Sequence, residues 1–290
     1  MKCLVTGGSG FLGSHVADEL AKKGHKVTIF DRKLSKWKKS GQKMIVGNLL
    51  NYNFLEKAIK GKDIIFHFAA LSDLSESLYQ PVKTIKSNIL GTAYALELCR
   101  KHKIKRFVHA STIYVNSDQG GFYRSSKKAA EDYVEEYQKR YGLEYTILRF
   151  GSLYGGRSYK NNGVRKIIED ALKNNQVSYD GTSKTIREYI HVEDAAKATA
   201  DVLKNKYKNK HIIITGAKRV KLPYFLNILA KILKNKKRIK FRNKKLVGHY
   251  TISPYTYEPI KGEKFRIKSG VSFEAGIKKL VKEIKNRKTQ

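Results

Sequence analysis

Tyr123 and Lys127 are the residues whose types and spacing best suit proton transfer. They sit in Tyr123-Arg124-Ser125-Ser126-Lys127, where positions i and i+4 of a helical pattern share one face. A free phenol has a pKa of about 10 and is a poor base at neutral pH. An ammonium one turn away favours the phenolate, so a lowered phenol pKa is expected. Such a tyrosine can take the proton of an alcohol. Spacing alone is weak evidence, since a chain with 18 tyrosines and 60 Lys+Arg produces chance pairs. Context strengthens it. Arg106–Asn116, reading R-F-V-H-A-S-T-I-Y-V-N, is a strand pattern ending in hydroxyls shortly before Tyr123. Thr112 is expected to hydrogen-bond the reacting oxygen and share its proton with Tyr123. Ser111, one residue earlier on an extended strand, points to the opposite side. Tyr133, Tyr137 and Tyr141 follow on the same helix and are expected to pack or face solvent.

A second motif supplies a partner for that proton transfer. Thr6-Gly7-Gly8-Ser9-Gly10-Phe11-Leu12-Gly13 joins a first strand to a first helix. Glycines at 7, 10 and 13 permit a tight turn, close approach to a pyrophosphate and close helix–strand packing. The helix N-terminus then offers N–H groups and a positive dipole end to phosphate. The spacing is Gly-x-x-Gly-x-x-Gly, and its place between strand and helix makes it specific. Asp31 ends the second strand, where a carboxylate accepts from adenosine ribose hydroxyls and repels a 2′-phosphate. NAD is therefore the expected cofactor, with the adjacent Arg32 able to soften the preference. With a nicotinamide present, hydride leaves the alcohol carbon as Tyr123 takes the proton.

The elements that must hold these residues begin with strands at Lys2–Thr6, Lys26–Asp31, Lys43–Val46, Asp63–Phe68, Arg106–Ser111 and Glu144–Phe150. Amphipathic helical stretches lie between them at Phe11–Lys23, Val82–Lys101 and Tyr123–Tyr141. Apolar runs such as Ile64-Ile65-Phe66 indicate strands buried on both faces of a parallel sheet. The fold class is α/β, a doubly wound parallel sheet of Rossmann type with a smaller C-terminal α/β substrate lobe. Later elements read as helix Gly163–Lys173, strands Val177–Tyr179 and Ile186–His191, and helix Val192–Lys204. A strand at His211–Thr215 and helices at Leu222–Leu233 and Phe273–Lys285 complete the pattern. Residues 1–160, joined by 186–215, are expected to form the NAD-binding domain, and 161–185 with 216–290 the substrate lobe.

Bulk properties bound the rest. The 290 residues carry 41% hydrophobic side chains, enough for a sizeable core. Cys3 and Cys99 lie in apolar contexts, which implies a reducing compartment and no disulfide framework. A strand beginning at residue 2 leaves no room for a signal peptide, and no apolar run suits a membrane span, so a cytoplasmic setting is expected. The formal net charge is +35. Its densest patch is Lys231 to Lys245, nine of fifteen residues basic, without a stacking aromatic series. Basic residues spread over nearly the whole chain, so salt-sensitive adhesion to polyanions is expected and specific nucleic-acid recognition is not. The histidines show no paired ligand spacing, and no metal site is expected.

With these residues assembled, the chain resembles extended short-chain dehydrogenases/reductases of the NAD-dependent epimerase/dehydratase family, UDP-glucose 4-epimerases in particular. The likeness runs over nearly the full length. It rests on Thr6–Gly13, Asp31, the H-F-A-A run at His67–Ala70, Asn88 before Gly91-Thr92, Ser111-Thr112, Tyr123/Lys127, Leu148–Gly155 and Arg187–Asp194. The resemblance implies that Phe11 and Leu12 contribute to the phosphate turn and that Phe68, Ala69 and Ala70 line the cofactor, with Asn88 nearby. Asn48-Leu49 resembles the pair that contacts adenine, with Asn in place of Asp. On the substrate side it implies Ser72, Ser152 (in a position often held by Asn) and Arg187, a guanidinium suited to a nucleotide diphosphate. His191 and Asp194 read as structural. Homodimerisation through helices Val82–Lys101 and Tyr123–Tyr141 is also implied.

The residues after Thr112 bear on the reaction. Dehydratase-like relatives place an acidic pair there and decarboxylase-like relatives keep a Glu, whereas this chain has Ile113 and Tyr114. Elimination then lacks its general acid, and hydride traffic at one carbon remains. The first expectation is a sugar-nucleotide 4-epimerase. The alternatives are an NAD(P)H-dependent reductase or dehydrogenase of a sugar nucleotide or other alcohol, and a non-catalytic nucleotide- or polyanion-binding protein. The segment between Asn116 and Tyr123 is short, and no late phosphate-binding arginine stands around Thr251–Lys264, where Arg242 or Arg266 are the candidate substitutes.

Overall fold

Strands covered by helices on both sides have no solvent face, which is why unbroken apolar runs make the central sheet. The structure, a computed structural model, describes residues 1–234, 239–244, 248–253, 263–264 and 270–286. In chain order β1 (Lys2–Thr6), β2 (Lys26–Asp31), β3 (Lys43–Val46), β4 (Ile64–His67), β5 (Arg106–Thr112) and β6 (Tyr145–Phe150) pair in parallel. Every residue of β4 and β6 is buried. The chain continues through β7 (Ser152–Tyr154), β8 (Ser178–Tyr179), β9 (Ile186–Arg187), β10 (Tyr189–His191), β11 (Lys210–Ile214), β12 (Val220–Lys221), β13 (Lys240–Phe241) and β14 (Glu263–Lys264). Of these, β11 and β14 join the main sheet, whose order is β14-β11-β6-β5-β4-β1-β2-β3. Connections run outward on both sides of β1, so the crevice beyond the carboxyl ends of β1 and β4 is a topological switch point.

The helices are α1 (Phe11–Lys22), α2 (Tyr52–Ile59), α3 (Leu74–Tyr79), α4 (Pro81–Ile85), α5 (Gly91–Lys101), α6 (Gly121–Tyr141), α7 (Gly163–Asn174), α8 (Val192–Asp201), α9 (Leu222–Ile232) and α10 (Phe273–Asn286). On one face of the sheet, Val16 and Leu20 of α1 and Ala195 and Ala198 of α8 pack on Val5, Val108 and Leu148. On the other, Leu55 of α2, Leu96 of α5 and Val134 of α6 pack on Leu4, Ile65, Phe107 and Ile147. A third core, around Tyr154, Ile168, Phe225, Leu229 and Ile277, joins α7, α9 and α10 beside the sheet.

Two of the expected elements are divided in the structure. The single helix expected over Val82–Lys101 is interrupted by a π turn at Lys86–Leu90, between α4 and α5. The strand expected over Ile186–His191 is two strands. β9 pairs antiparallel with β12, and β10 pairs parallel with β7, so neighbouring residues serve different sheets. The patch Lys231–Lys245 lies partly outside the described residues.

Candidate active site

Thr112 is the last residue of β5, extended and buried, and its Oγ1 accepts from the Tyr114 amide at 3.3 Å. After the short turn that follows, Gly120 and Gly121 adopt φ of +101° and +51°, conformations that favour glycine. A Cβ on Gly120 would stand 2.8 Å from the Tyr114 ring. These glycines admit the sharp entry into α6 that returns Tyr123 over the end of β5. Tyr123 there faces the Thr112 side chain, which draws its pKa down. One turn on, Lys127 is buried and its Nζ donates to the Ala110 carbonyl at 2.8 Å. The three residues picked out by spacing therefore meet at the carboxyl end of β5.

Their electrostatics depart from the expectation. Burial pushes the Tyr123 phenol up to about 12, against the downward pull of the Thr112 side chain. Burial also brings Lys127 down to about 8, opposed by Glu131. A neighbouring ammonium was expected to lower the phenol; loss of solvent outweighs it, because the Lys127 ammonium is turned to the Ala110 carbonyl. In this environment the Tyr123 phenol is held neutral, and a positive charge beside it is needed to favour the phenolate.

Behind Lys127 lies a cluster the motif reading missed. Ser111, facing away from Thr112's partner as expected, donates to Glu131. Arg149 on β6 grips the same carboxylate through Nε at 3.0 Å and Nη2 at 2.7 Å. Tyr123, Lys127 and Glu131 recur at four-residue spacing on one face of α6, and that spacing was the available signal.

The glycine turn sits at the carboxyl end of β1, against β4. Gly7 has φ +69°, and a Cβ on it would lie 2.6 Å from the Ala69 nitrogen. A Cβ on Gly13 would lie 2.3 Å from the Gly7 carbonyl oxygen. Gly7, Gly10, Phe11, Leu12 and Gly13 are thus brought together with the half-buried Phe68, Ala69 and Ala70 that leave β4. Asp31 is half-buried, its Oδ2 accepting from Ser9 N at 3.0 Å and its Oδ1 from Lys33 N at 3.3 Å, so it also braces the turn. Arg32 is exposed. Asn48 is exposed, with its Oδ1 taken by the Leu50 amide at 3.0 Å, while Leu49 packs where a Gly91 Cβ would be, 2.5 Å away. Asn88, fully buried in the π turn, ties Leu71 through both its amide atoms and donates to Ser126 Oγ at 3.0 Å. Its role in these contacts is to lock the loop after β4 against α6.

On the opposite wall, Arg187 of β9 is buried with its guanidinium 4.0 Å over the Tyr250 ring. Its Nη1 has no hydrogen-bond partner among the described residues, an uncompensated donor suited to an anion. Ser152 on β7 reaches the Tyr250 hydroxyl at 3.2 Å, and Ser72 is exposed in the loop after β4. The Tyr114 ring stands 4.7 Å from Tyr250 and 6.4 Å from Tyr123, and its hydroxyl meets His249 Nδ1 at 3.1 Å. His249 and Tyr250 come from a segment without periodicity and carried no sequence signal. His191 caps α8 through Glu193 N at 3.4 Å, and Asp194 accepts from Val271 N at 2.8 Å. Arg242 is engaged by Asp180 and Ser178, and Arg266 lies outside the described residues. Among the described residues no cluster of His, Cys, Asp and Glu could hold a metal, and no helix is long and apolar enough to cross a membrane.

The sequence profile of the NAD dependent epimerase/dehydratase family matches residues 3–215. The chain belongs to that family. Family membership makes it an NAD-dependent enzyme of the epimerase/dehydratase type, and the cradle fits the dinucleotide: Gly7 and Gly13 stand where Cβ atoms would collide, at the N-terminus of α1. A putative UDP-glucose 4-epimerase of Methanocaldococcus jannaschii is 29% identical over 98% of both chains. A dTDP-D-glucose 4,6-dehydratase of Dictyostelium discoideum is 31% identical over 70% of this chain and 55% of its own length. Among solved structures, the UDP-glucose 4-epimerase of Thermus thermophilus in complex with NAD aligns with a TM-score of 0.80 at 25% identity, covering 98% of this chain and 99% of that one.

Proposed function

We propose that this protein is a UDP-sugar 4-epimerase. The reading rests on one observation: Tyr123 set against Thr112 at the end of β5, where Thr112 is followed by Ile113 and Tyr114 in place of the acid that elimination would need. Ile113 has no proton to give, and burial drives the Tyr114 phenol far above its ordinary value, so neither is a ready acid for loss of water. The names of the relatives favour a sugar nucleotide, and the unpaired buried Nη1 of Arg187 suits its diphosphate.

In this reading Thr112 holds the sugar 4-hydroxyl, and Tyr123 takes its proton and later returns it. Lys127 keeps a positive charge one turn below the phenol. NAD, when bound, would supply the hydride acceptor and donor for C4. The turn from Gly7 to Gly13 would cradle its pyrophosphate, with Asp31 toward the ribose, Asn48 and Leu49 toward the adenine, and Phe68, Ala69 and Ala70 along its length. Ser72, Ser152 and Arg187 would meet the substrate.

The test is to denature purified protein, assay released nucleotide, and follow UDP-glucose and UDP-galactose by NMR. About one NAD per chain with inversion at C4, abolished in Tyr123→Phe with NAD retained, is the expected result. Consumption of external NADH without inversion would overturn epimerisation in favour of net reduction.

A further inference from the structure

His67 ends β4, is fully buried, and has no part in the proposed proton transfer. Its ring stacks on His109 at 5.9 Å and lies 5.4 Å from Phe107. Both ring nitrogens meet hydroxyls, Nδ1 with Thr6 Oγ1 at 2.9 Å and Nε2 with Thr92 Oγ1 at 3.2 Å. The partners further out fix the direction of these bonds. Thr92 gives its single proton to the Asn88 carbonyl at 2.7 Å, so toward His67 it can only accept, and Nε2 carries the hydrogen. Burial, with the Lys127 charge, brings the imidazole down to about 3, so the ring is neutral. A neutral ring accepts at Nδ1, and Thr6 is the donor there. The same Thr6 oxygen accepts from Ala69 N at 3.3 Å.

A run of bonds with a single direction results, from the Ala69 amide through Thr6, His67 and Thr92 to the Asn88 carbonyl. At one end, Ala69 N is the atom 2.6 Å from a Cβ built on Gly7, so it lies against the glycine turn. At the other, the Asn88 side chain donates to Ser126 Oγ at 3.0 Å, and that hydroxyl donates to the Tyr123 carbonyl at 2.8 Å. Thr6, His67, Asn88 and Thr92 are all buried, so loss of any partner leaves a polar atom unpaired away from solvent.

We propose that His67 is a positioning residue for NAD: as the Nε2–H tautomer it ties the glycine turn at Ala69 to the π turn of Asn88 and, through Ser126, to the helix that carries Tyr123. The cradle and the phenol are thereby held in one frame. The inference rests on the proposed seat of NAD on the Gly7–Gly13 turn.

The experiment uses the full-length chain cleared of copurified nucleotide. NMR of the His67 ring nitrogens, assigned through contacts with Thr6 and Thr92, is expected to show Nε2 protonated and Nδ1 bare near neutral pH. Thr92→Val keeps the side-chain shape and removes both bonds, whereas Thr92→Ser keeps the hydroxyl. Calorimetric titration with NAD is expected to give a Kd about tenfold higher in Thr92→Val and within about twofold of wild type in Thr92→Ser. A hydrogen on Nδ1 in the wild type would overturn the inference even where Thr92→Val does not fold. So would wild-type NAD affinity in Thr92→Val, whatever its melting temperature, or equal weakening in Thr92→Ser. If Gly13→Ala weakens NAD binding in the same assay, any of these results leaves the cradle standing. Undiminished NAD binding in Gly13→Ala would overturn the seat of the cofactor, and the inference with it.

Discussion

Glu131, one turn beyond Lys127 on α6, is the carboxylate whose field favours the Lys127 charge. It is buried, and burial alone would raise its pKa, but the His211 ring 3.6 Å away, the Arg149 ion pair and the Ser111 hydroxyl hold it at about 2. Its folded value lies below its unfolded value. The stability it contributes is therefore present above about pH 4.5 and is lost as pH falls toward 2. The contribution is on the order of 3 kcal/mol. Glu131→Gln should lower the melting temperature near pH 7 by about 5–10 °C and flatten the acid side of the stability profile. Parallel acid losses in variant and wild type would show that another carboxylate governs this window. The proposed proton transfer by Tyr123 belongs to the same scale. Its spacing to Lys127 was legible in the sequence, while its upward shift was not, because burial depends on what the fold packs above the ring.

At the scale of elements, the entry to α1 is a tightly constrained junction. A methyl group on Gly13 has the Gly7 carbonyl oxygen 2.3 Å away and no flexible side chain to displace. Gly13→Ala should cost roughly 1–3 kcal/mol of stability and weaken NAD binding at least about tenfold, measured by thermal melting and by titration. Wild-type NAD affinity in Gly13→Ala would mean that the turn does not carry the cofactor. Elements such as β1, β2 and β3 were readable to the residue because their apolar runs end at glycine or charged residues. The π turn was not. It exists because Asn88 is drawn toward Leu71 and Ser126, partners 17 and 38 residues away, and no local pattern encodes that. The short helices α2 and α3 span eight and six residues, too few for periodicity to register. His249 and Tyr250 became site residues only through tertiary contact.

At the scale of the whole molecule, α3 to α6 expose an unusual set of large apolar side chains. Tyr79 is 85% exposed, and Val82, Ile85, Leu90, Phe122 and Tyr133 are also open to solvent. Such a surface suits a second copy of the chain through a four-helix contact. With a formal +35 per chain, the copies repel one another at low salt. Sedimentation should show dissociation near about 20 mM salt and association near about 300 mM, with Val82→Glu monomeric in both. A monomer in every condition would remove this interface. The wall formed by Tyr250 with Ser152, Tyr114 and Arg187 has a different consequence. Its key ring, Tyr250, lies outside the main sheet, so on the proposed reading replacing that ring changes which substrates fit while Thr112, Tyr123 and Lys127 keep their places. Selectivity and chemistry are then separately adjustable, and one scaffold can diversify by rewriting a few distal positions.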